Sequence, residues 1–330
     1  MQEAPTDVGQ SVSTGRLPRR EEVETRLAEA HARYRDLDDG AVADYIPALA
    51  ATDPGLFGIA VAGVGGAVAG VGDSAHPFSI QSIAKAFVYA LVCEELGHQA
   101  VKEKVGVDNT GLPFNSVIAI ELNAGSPMNP MVNAGAIATT ALLPGDGPEQ
   151  QCQHAVDGLS AFAGRPLEVS EEVFASEMAT NQRNRAIARL LQSYGRLQGD
   201  PITAVDVYTR LCSMLVDAGD LAVMGATLAH GGVNPVTGVR VIGPQVCRDV
   251  LAVLASTGMY ERSGEWLFEI GIPAKSGVSG GIVAIAPGKG ALATFSPPLD
   301  AAGNSVRGHL AAAHLSRSLG LNIFASAAAQ

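Results

Sequence analysis

Residues 55 to 72, GLFGIAVAGVGGAVAGVG, carry no charge over 18 positions, and this stretch limits what the chain can build. A span that long can cross a bilayer as a helix. Its seven glycines, with the Gly65-Gly66 pair at the centre, instead fit two short strands joined by a tight turn. A second such pattern stands near the far end of the chain. Gly281 to Ala286 is rich in β-branched residues, Pro287-Gly288-Lys289-Gly290 turns the chain, and Ala291 to Ser296 returns. A further strand is expected at Val239 to Ile242. Strands near both ends with helices between them predict an α+β fold. In it one antiparallel sheet, drawn from both termini and flanked by helices, carries an inserted, mainly helical domain. The expected division is a flexible tail at 1–18, a sheet domain of 19–76 plus 226–330, and a helical domain of 77–225. A site is expected at the junction of the last two.

The helices follow from periodicity. Pro18 to about Leu37 places Val23, Leu27, Ala30 and Tyr34 on one stripe, and about Asn304 to Leu319 does the same with Val306, Leu310, Ala313 and Arg317. Gly40 to Pro54 reads as a short helix or turn holding Tyr45, whose apolar neighbours fit a core tyrosine. A helix from about Glu171 to Tyr194 sets Glu177 and Asn184 on one face, as a solvated face would also have it. The next, about Ile202 to Ala218, presents Tyr208. In NPMVNAGAIATTALL, Asn133 sits where either an N-cap or a ligand-facing amide belongs.

Charge and cysteine content narrow the function. With a net charge of −11 and a pI near 5.1, the chain offers no phosphate-binding surface, and nucleic acid is not an expected partner. Cysteines 93, 152, 212 and 247 form no Cys-x-x-Cys or Cys/His cluster, so neither a metal site nor any cofactor is expected. The first residues hold no apolar core of a secretory signal, and the expected location is cytoplasmic, with no membrane partner.

The chemistry is carried by PFSIQSIAKAFVYALVCEELG, Pro77 to Gly97, which reads as a helix with Ser82 and Lys85 in its first turn. Residues three apart lie on one helical face, within reach of a hydroxyl-to-amine hydrogen bond. A serine hydroxyl needs a base, and a lysine whose pKa is lowered by burial can serve as one. Later, before the second hairpin, stands PAKSGVSGG, Pro273 to Gly281. Its glycines on a sheet-edge strand let backbone approach a substrate closely. Ser-x-x-Lys followed by Lys-Ser/Thr-Gly is the pattern of serine acyl-transfer enzymes such as β-lactamases and penicillin-binding proteins. Ser82 would then attack an amide or ester carbonyl while Lys85 takes its proton. The Ser82 amide and a strand amide near Val278 would hold the oxyanion.

With these residues assembled, the chain resembles the serine-dependent glutaminases, relatives of the β-lactamase fold that hydrolyse glutamine to glutamate and ammonia. VADYIPALA, PFSIQSIAKAF, NTGLPFN, NPMVNAGAI, the Glu177 to Asn184 segment, LAHGGVNPVTG, GMY at Gly258 to Tyr260, PAKSGVSGG and FSPPLDAAGNSVRG occur in that family's order. The resemblance implies that Ser82 and Lys85 do the chemistry with Tyr45 and Tyr260 beside them, and that the Val278 amide completes the oxyanion hole. It further implies that Gln81, Asn133, Glu177, Asn184 and Tyr208 hold the amino acid end of L-glutamine, and that the protein is a homo-oligomer, a dimer or tetramer. A carboxylate such as Glu177 suits the substrate ammonium, and the asparagine amides suit its carboxylate.

Overall fold

The structure, a computed structural model, describes residues 7–9, 11 and 15–325. Of the expected tail at 1–18, residues 1–6, 10 and 12–14 lie outside the described residues. The uncharged stretch forms a hairpin of β1 (Gly58–Gly63) and β2 (Val68–Gly72), with Gly58 opposite Gly72 and Ala62 opposite Val68. Gly66 takes the φ of +85° that the turn between them requires. Among the described residues no helix is long and apolar enough to cross a membrane.

Two further short strands, β3 (Phe78–Ser79) and β4 (Leu215–Val216), pair with each other. Near the C-terminus come β5 (Ala274–Ser276), β6 (Gly281–Ala286) and β7 (Gly290–Phe295). The main sheet runs β2-β1-β7-β6-β5, every neighbour antiparallel, so β1 docks directly on β7 and ties the two ends of the chain together.

Successive strand side chains point to opposite faces, and here the two faces differ in size. Ala60, Ala62, Ala291 and Ala293 join the larger core, which contains the helices between Ala84 and Thr257. Ile59, Val61, Ile282 and Leu292 join a second core with the helices Arg20–Tyr34 and Val306–Ser318. Small residues on the first face let helix Ala218–Ala229 lie close against β1, β6 and β7. At Gly225 in that helix a Cβ would stand 2.6 Å from Ala291 Cβ and 2.8 Å from Val283 Cγ2. Gly225 is therefore a packing glycine in mid-helix, and the division expected at 225/226 falls inside one continuous element.

Other expectations are corrected. The segment before Lys85 is not one helix from Pro77: β3 leads into a 3-10 turn, Gln81–Ile83, and the α-helix is Ala84–Leu96. Glu171 to Tyr194 is two helices, Glu171–Thr180 and Gln182–Ser193, parted at Asn181, whose ψ of 25° leaves the helical range. Thr and Asn propagate helices poorly, and the side chains on either side are drawn to one cleft. The Tyr208 helix, Pro201–Cys212, stops before β4, and Asp217 with Asp220 forms a capping box that starts a new helix at Ala218. Val239 to Ile242 is not a strand. It contributes a single bridge, Val233 to Arg240; Val239 is 56% exposed while Ile242 is buried in the larger core, so the segment packs through its end without a partner strand.

Replacing glycine by alanine inside an exposed helix ordinarily raises stability by about 1 kcal/mol. Gly225→Ala is expected to lower it, because overpacking against a filled sheet face costs about 1–3 kcal/mol. Urea denaturation reads the sign directly, and a higher midpoint would refute the packing account.

Candidate active site

The turn that carries Ser82 is fixed from both sides. On one, the β3–β4 ladder and the bond from the Ile80 N–H to Met214 O, 2.8 Å, hold the incoming chain. On the other, the turn after β5 presses in at Gly277, where a Cβ would be 2.9 Å from Ile80 O and 3.2 Å from Gln81 Cβ. This is why Lys-Ser-Gly needs its glycine.

Gln81 itself has a φ of +50° and Tyr260 one of +56°. Each such left-handed non-glycine conformation costs on the order of 1–3 kcal/mol, and with Ala124 these are the only ones among the described residues. Gln81 is held by donating from Nε2 to Ser79 Oγ at 3.2 Å and to Glu177 Oε2 at 3.3 Å. The Tyr260 carbonyl accepts from Ser263 Oγ at 2.7 Å, and its hydroxyl donates to Ser276 O at 3.2 Å.

Lys85 is 3% exposed and donates to Asn133 Oδ1 at 2.6 Å and to Met131 O at 3.2 Å. Among the described residues no hydrogen bond joins Ser82 Oγ to Lys85 Nζ; because Ser82 sits in the 3-10 turn and the amine reaches across to the Asn133 segment, the expected direct bond is absent. Catalytic hydrogen bonds are often long in a ligand-free site and tighten only on substrate. Burial pulls the Lys85 pKa down to about 8, against the opposing charges of Cys212 and Glu177.

Asn133 is not an N-cap. Val132 occupies that position without a side-chain cap, and Asn129 closes the turn that leads into the helix, its Oδ1 accepting from the N–H groups of Met131 (2.9 Å) and Val132 (3.2 Å). Asn133 is thereby freed to join Lys85 to Asn184, donating from Nδ2 to Asn184 Oδ1 at 2.9 Å.

Glu177 is 8% exposed, and burial raises its carboxyl to about 7, while the Gln81 bond and the Lys85 charge pull the other way. Tyr260 is pushed up to about 12 by burial, moderated by the Ser82 and Ser276 groups beside it. Burial likewise raises the Tyr208 and Tyr45 phenols, although Tyr45, whose neighbours fit a core tyrosine and which the resemblance sets beside Ser82, stands 54% exposed at the mouth.

These parts enclose a cleft of about 250 Å³ between the helical region and the sheet edge. Its lining brings together Tyr45, Gln81, Ser82, Asn133, Glu177, Asn184, Tyr208 and Val278. Lys85 and Tyr260 stand behind that lining, buried. Val278 lies in the turn between β5 and β6, closed by bonds from Gly277 N–H to Gly281 O and from Gly280 N–H to Gly277 O, both 2.9 Å. Neither the Val278 N–H nor the Ser82 N–H is spent on a partner among the described residues.

Sequence reasoning did not assign Phe114, Asn115, Thr180, Asn181 or Arg183 to the lining. Its strongest omission is Lys275. This amine is fully buried, donates to Ser276 O at 2.9 Å and sits 4.1 Å from the Tyr260 ring centroid. Burial, and then the Lys85 charge, hold it well below the ordinary lysine range. Its place in the Lys-Ser-Gly motif was the available signal. Among the described residues no group of three or more His, Cys, Asp or Glu could hold a metal ion.

A family model described as Glutaminase matches residues 40–324. The chain is 53% identical over 315 residues to "Glutaminase 2" of Yersinia pestis, covering 96% of this chain and 93% of that one. It is 50% identical over 321 residues to a glutaminase of Mycobacterium ulcerans, covering 97% of each. Among solved structures, ybaS, described as "Probable glutaminase", superposes with a TM-score of 0.92 at 46% identity, over 93% of this chain and 99% of that chain. Mglu in its glutamate form gives a TM-score of 0.89 at 40% identity, over 94% of this chain and 72% of that one.

The raised Glu177 carboxyl has a stability consequence. It binds its proton more tightly folded than unfolded, so stability is fully present below the ordinary value of 4.5 and is lost as pH rises toward about 7. Glu177→Gln removes that loss. Its stability relative to the parent is expected to be unchanged near pH 4 and higher by on the order of 1–3 kcal/mol at pH 8, read by urea denaturation at both pH values. A variant less stable than the parent at pH 8 would show that the carboxylate is not a burdened group.

Proposed function

Because this chain belongs to the glutaminase family and is a glutaminase, we propose that it hydrolyses L-glutamine through a γ-glutamyl ester on Ser82, with Lys85 as the base. The observation that carries the proposal is the pairing of a cleft-lining serine with a lysine held near pKa 8 by burial, three residues on. A lysine at its ordinary value would be protonated at neutral pH and could accept nothing.

The amino acid end of glutamine enters beside Glu177, whose carboxylate pairs with the substrate ammonium; the incoming charge draws the carboxyl back down toward full ionisation. Asn184 Nδ2 and the Tyr208 hydroxyl face the substrate carboxylate, while Asn133 is committed to Lys85 and Asn184. Gln81, locked to Glu177, fixes where the α-carbon sits. Mglu has been solved in a glutamate form, so a relative of the same fold accommodates the product.

Ser82 Oγ then attacks the γ-carbonyl as Lys85 accepts the hydroxyl proton. The carbonyl oxygen becomes an oxyanion that the Ser82 and Val278 N–H groups bind. Collapse breaks the C–N bond, and the departing nitrogen takes a proton from Lys85, or from Tyr260 or Tyr45, to leave as ammonia. Water attacks the ester by the reverse proton route, releasing glutamate and the free Ser82 hydroxyl.

Ser82→Ala is expected to cut ammonia release by about 10³-fold or more while glutamate still binds within a few-fold of the parent. Residual turnover near the parent rate would remove Ser82 from the chemistry. The pH profile separates the two buried groups. The free enzyme needs Lys85 neutral and Glu177 ionised, so log kcat/KM should climb with a slope of about 2 below pH 7, about 1 between 7 and 8, and level off above. In the complex Glu177 is already paired, and log kcat should climb with a slope of about 1. In Glu177→Gln the steeper limb of kcat/KM should vanish and KM should rise. A profile flat from pH 6 to 9 would exclude Lys85 as the base.

A further inference from the structure

Among the described residues that line the cleft, two carry a formal charge, Glu177 and Arg183, and their signs are opposite. Glu177 is buried beside Gln81, whereas Arg183 is exposed. Six positions apart on one unbroken helix, they would point about 120° away from each other. The break at Asn181 puts Glu177 near the end of Glu171–Thr180 and Arg183 in the first turn of Gln182–Ser193, and both then reach the same cleft.

Arg183 is anchored along one edge. Its Nε donates to Asn115 O at 2.7 Å. The carbonyl before that one, Phe114 O, accepts from the Asn133 N–H at 2.8 Å, so the segment the guanidinium holds is itself tied to the site. The terminal nitrogens, Nη1 and Nη2, donate to no group among the described residues, and Arg183 forms no ion pair there. A guanidinium locked through Nε keeps the end-on fork that matches the two oxygens of a carboxylate. The chain's net charge of −11 disfavours anions in general, so a local cation is what a carboxylate needs here.

The amino acid end of glutamine carries the complementary pair, an ammonium and a carboxylate on one carbon. We propose that Arg183 is a specificity-determining residue: it pairs with the α-carboxylate of the substrate and makes the enzyme select free glutamine over glutamine whose α-carboxyl is blocked. The inference rests on the reading that Glu177 receives the ammonium, and it adds a charged partner to the neutral donors Asn184 Nδ2 and Tyr208. Glutamine with its carboxyl in a peptide bond is the substrate refused.

The test compares L-glutamine with its α-amide, L-glutaminamide, which keeps the ammonium and the side-chain amide and lacks the carboxylate charge. Their products, L-glutamate and L-isoglutamine, are separated by chromatography. The parent is expected to favour glutamine. Arg183→Gln should cut that preference about tenfold, by raising KM for glutamine while kcat stays within a few-fold and kcat/KM for the α-amide within about twofold. L-Glutamate keeps the α-carboxylate, so its inhibition of the variant should weaken about tenfold as well. A guanidinium that merely held the Asn115 segment would, once removed, weaken both substrates alike. That outcome overturns the proposal, as does a preference unchanged from the parent. Glu177→Gln, measured on the same two substrates, separates this inference from the reading beneath it. Both substrates carry the ammonium, so both should lose; should neither lose, the Glu177 assignment fails, while the ratio measured on Arg183→Gln still decides the role of Arg183.

Discussion

The amine of Lys85 is kept almost entirely out of water, and much of the surrounding architecture supports that arrangement. A buried ammonium is costly without a partner, and here its partners are a neutral amide and a carbonyl rather than a bonded carboxylate. The cost appears as a pKa near 8. Had a carboxylate been bonded directly to it, the lysine would be charged, stable and useless as a base. Asn133 supplies orientation without charge. The segment that brings Asn133 there is held by Asn129, whose Oδ1 closes the turn before the helix, and Gly135 leaves room for it, since a Cβ there would fall 1.8 Å from Asn129 O.

The same economy explains where the strain lies. Two of the three left-handed non-glycine residues among those described, Gln81 and Tyr260, flank Ser82. Neither conformation would survive in an unconstrained loop. Gln81 is clamped between the β3–β4 ladder and the Gly277 turn, and Tyr260 between its Ser263 bond and the Lys275 amine over its ring. Gly258 makes the second clamp possible, because any side chain there would collide with Ala274 O. The sheet therefore does more than cover a core. Its β5 edge sets Lys275 and Ser276 against Tyr260, the turn after it brings Val278 to the cleft, and pairing of β1 with β7 holds that edge in register.

Much of this was legible in advance. The two hairpins, the helical middle and the stripes at Val23 to Tyr34 and Val306 to Leu310 follow from periodicity and glycine placement, which are local. Ser82 and the Lys-Ser-Gly strand follow from spacing. The misreadings share one cause. Asn133 looked like a cap, Glu171 to Tyr194 like one helix and Gly225 like a boundary because each was judged against its sequence neighbours. The decisive contacts come from residues 48 to 66 positions away: Lys85 on Asn133, Asn184 on Asn133 and Ala291 on Gly225.

By itself the sequence determined the α+β class, the order of its elements and the pair of motifs on which the proposed role of Ser82 rests. Those are properties of patterning, and patterning acts over a few residues. Only the tertiary structure decided that Ser82 precedes its helix in a 3-10 turn instead of sitting within it. It also decided that Lys85 faces an asparagine, that a second buried lysine lies on the Tyr260 ring, and that Tyr45 stands at the mouth. Burial sets the charge of these groups, and burial is fixed by which distant segments meet, a quantity that no local stretch of sequence contains.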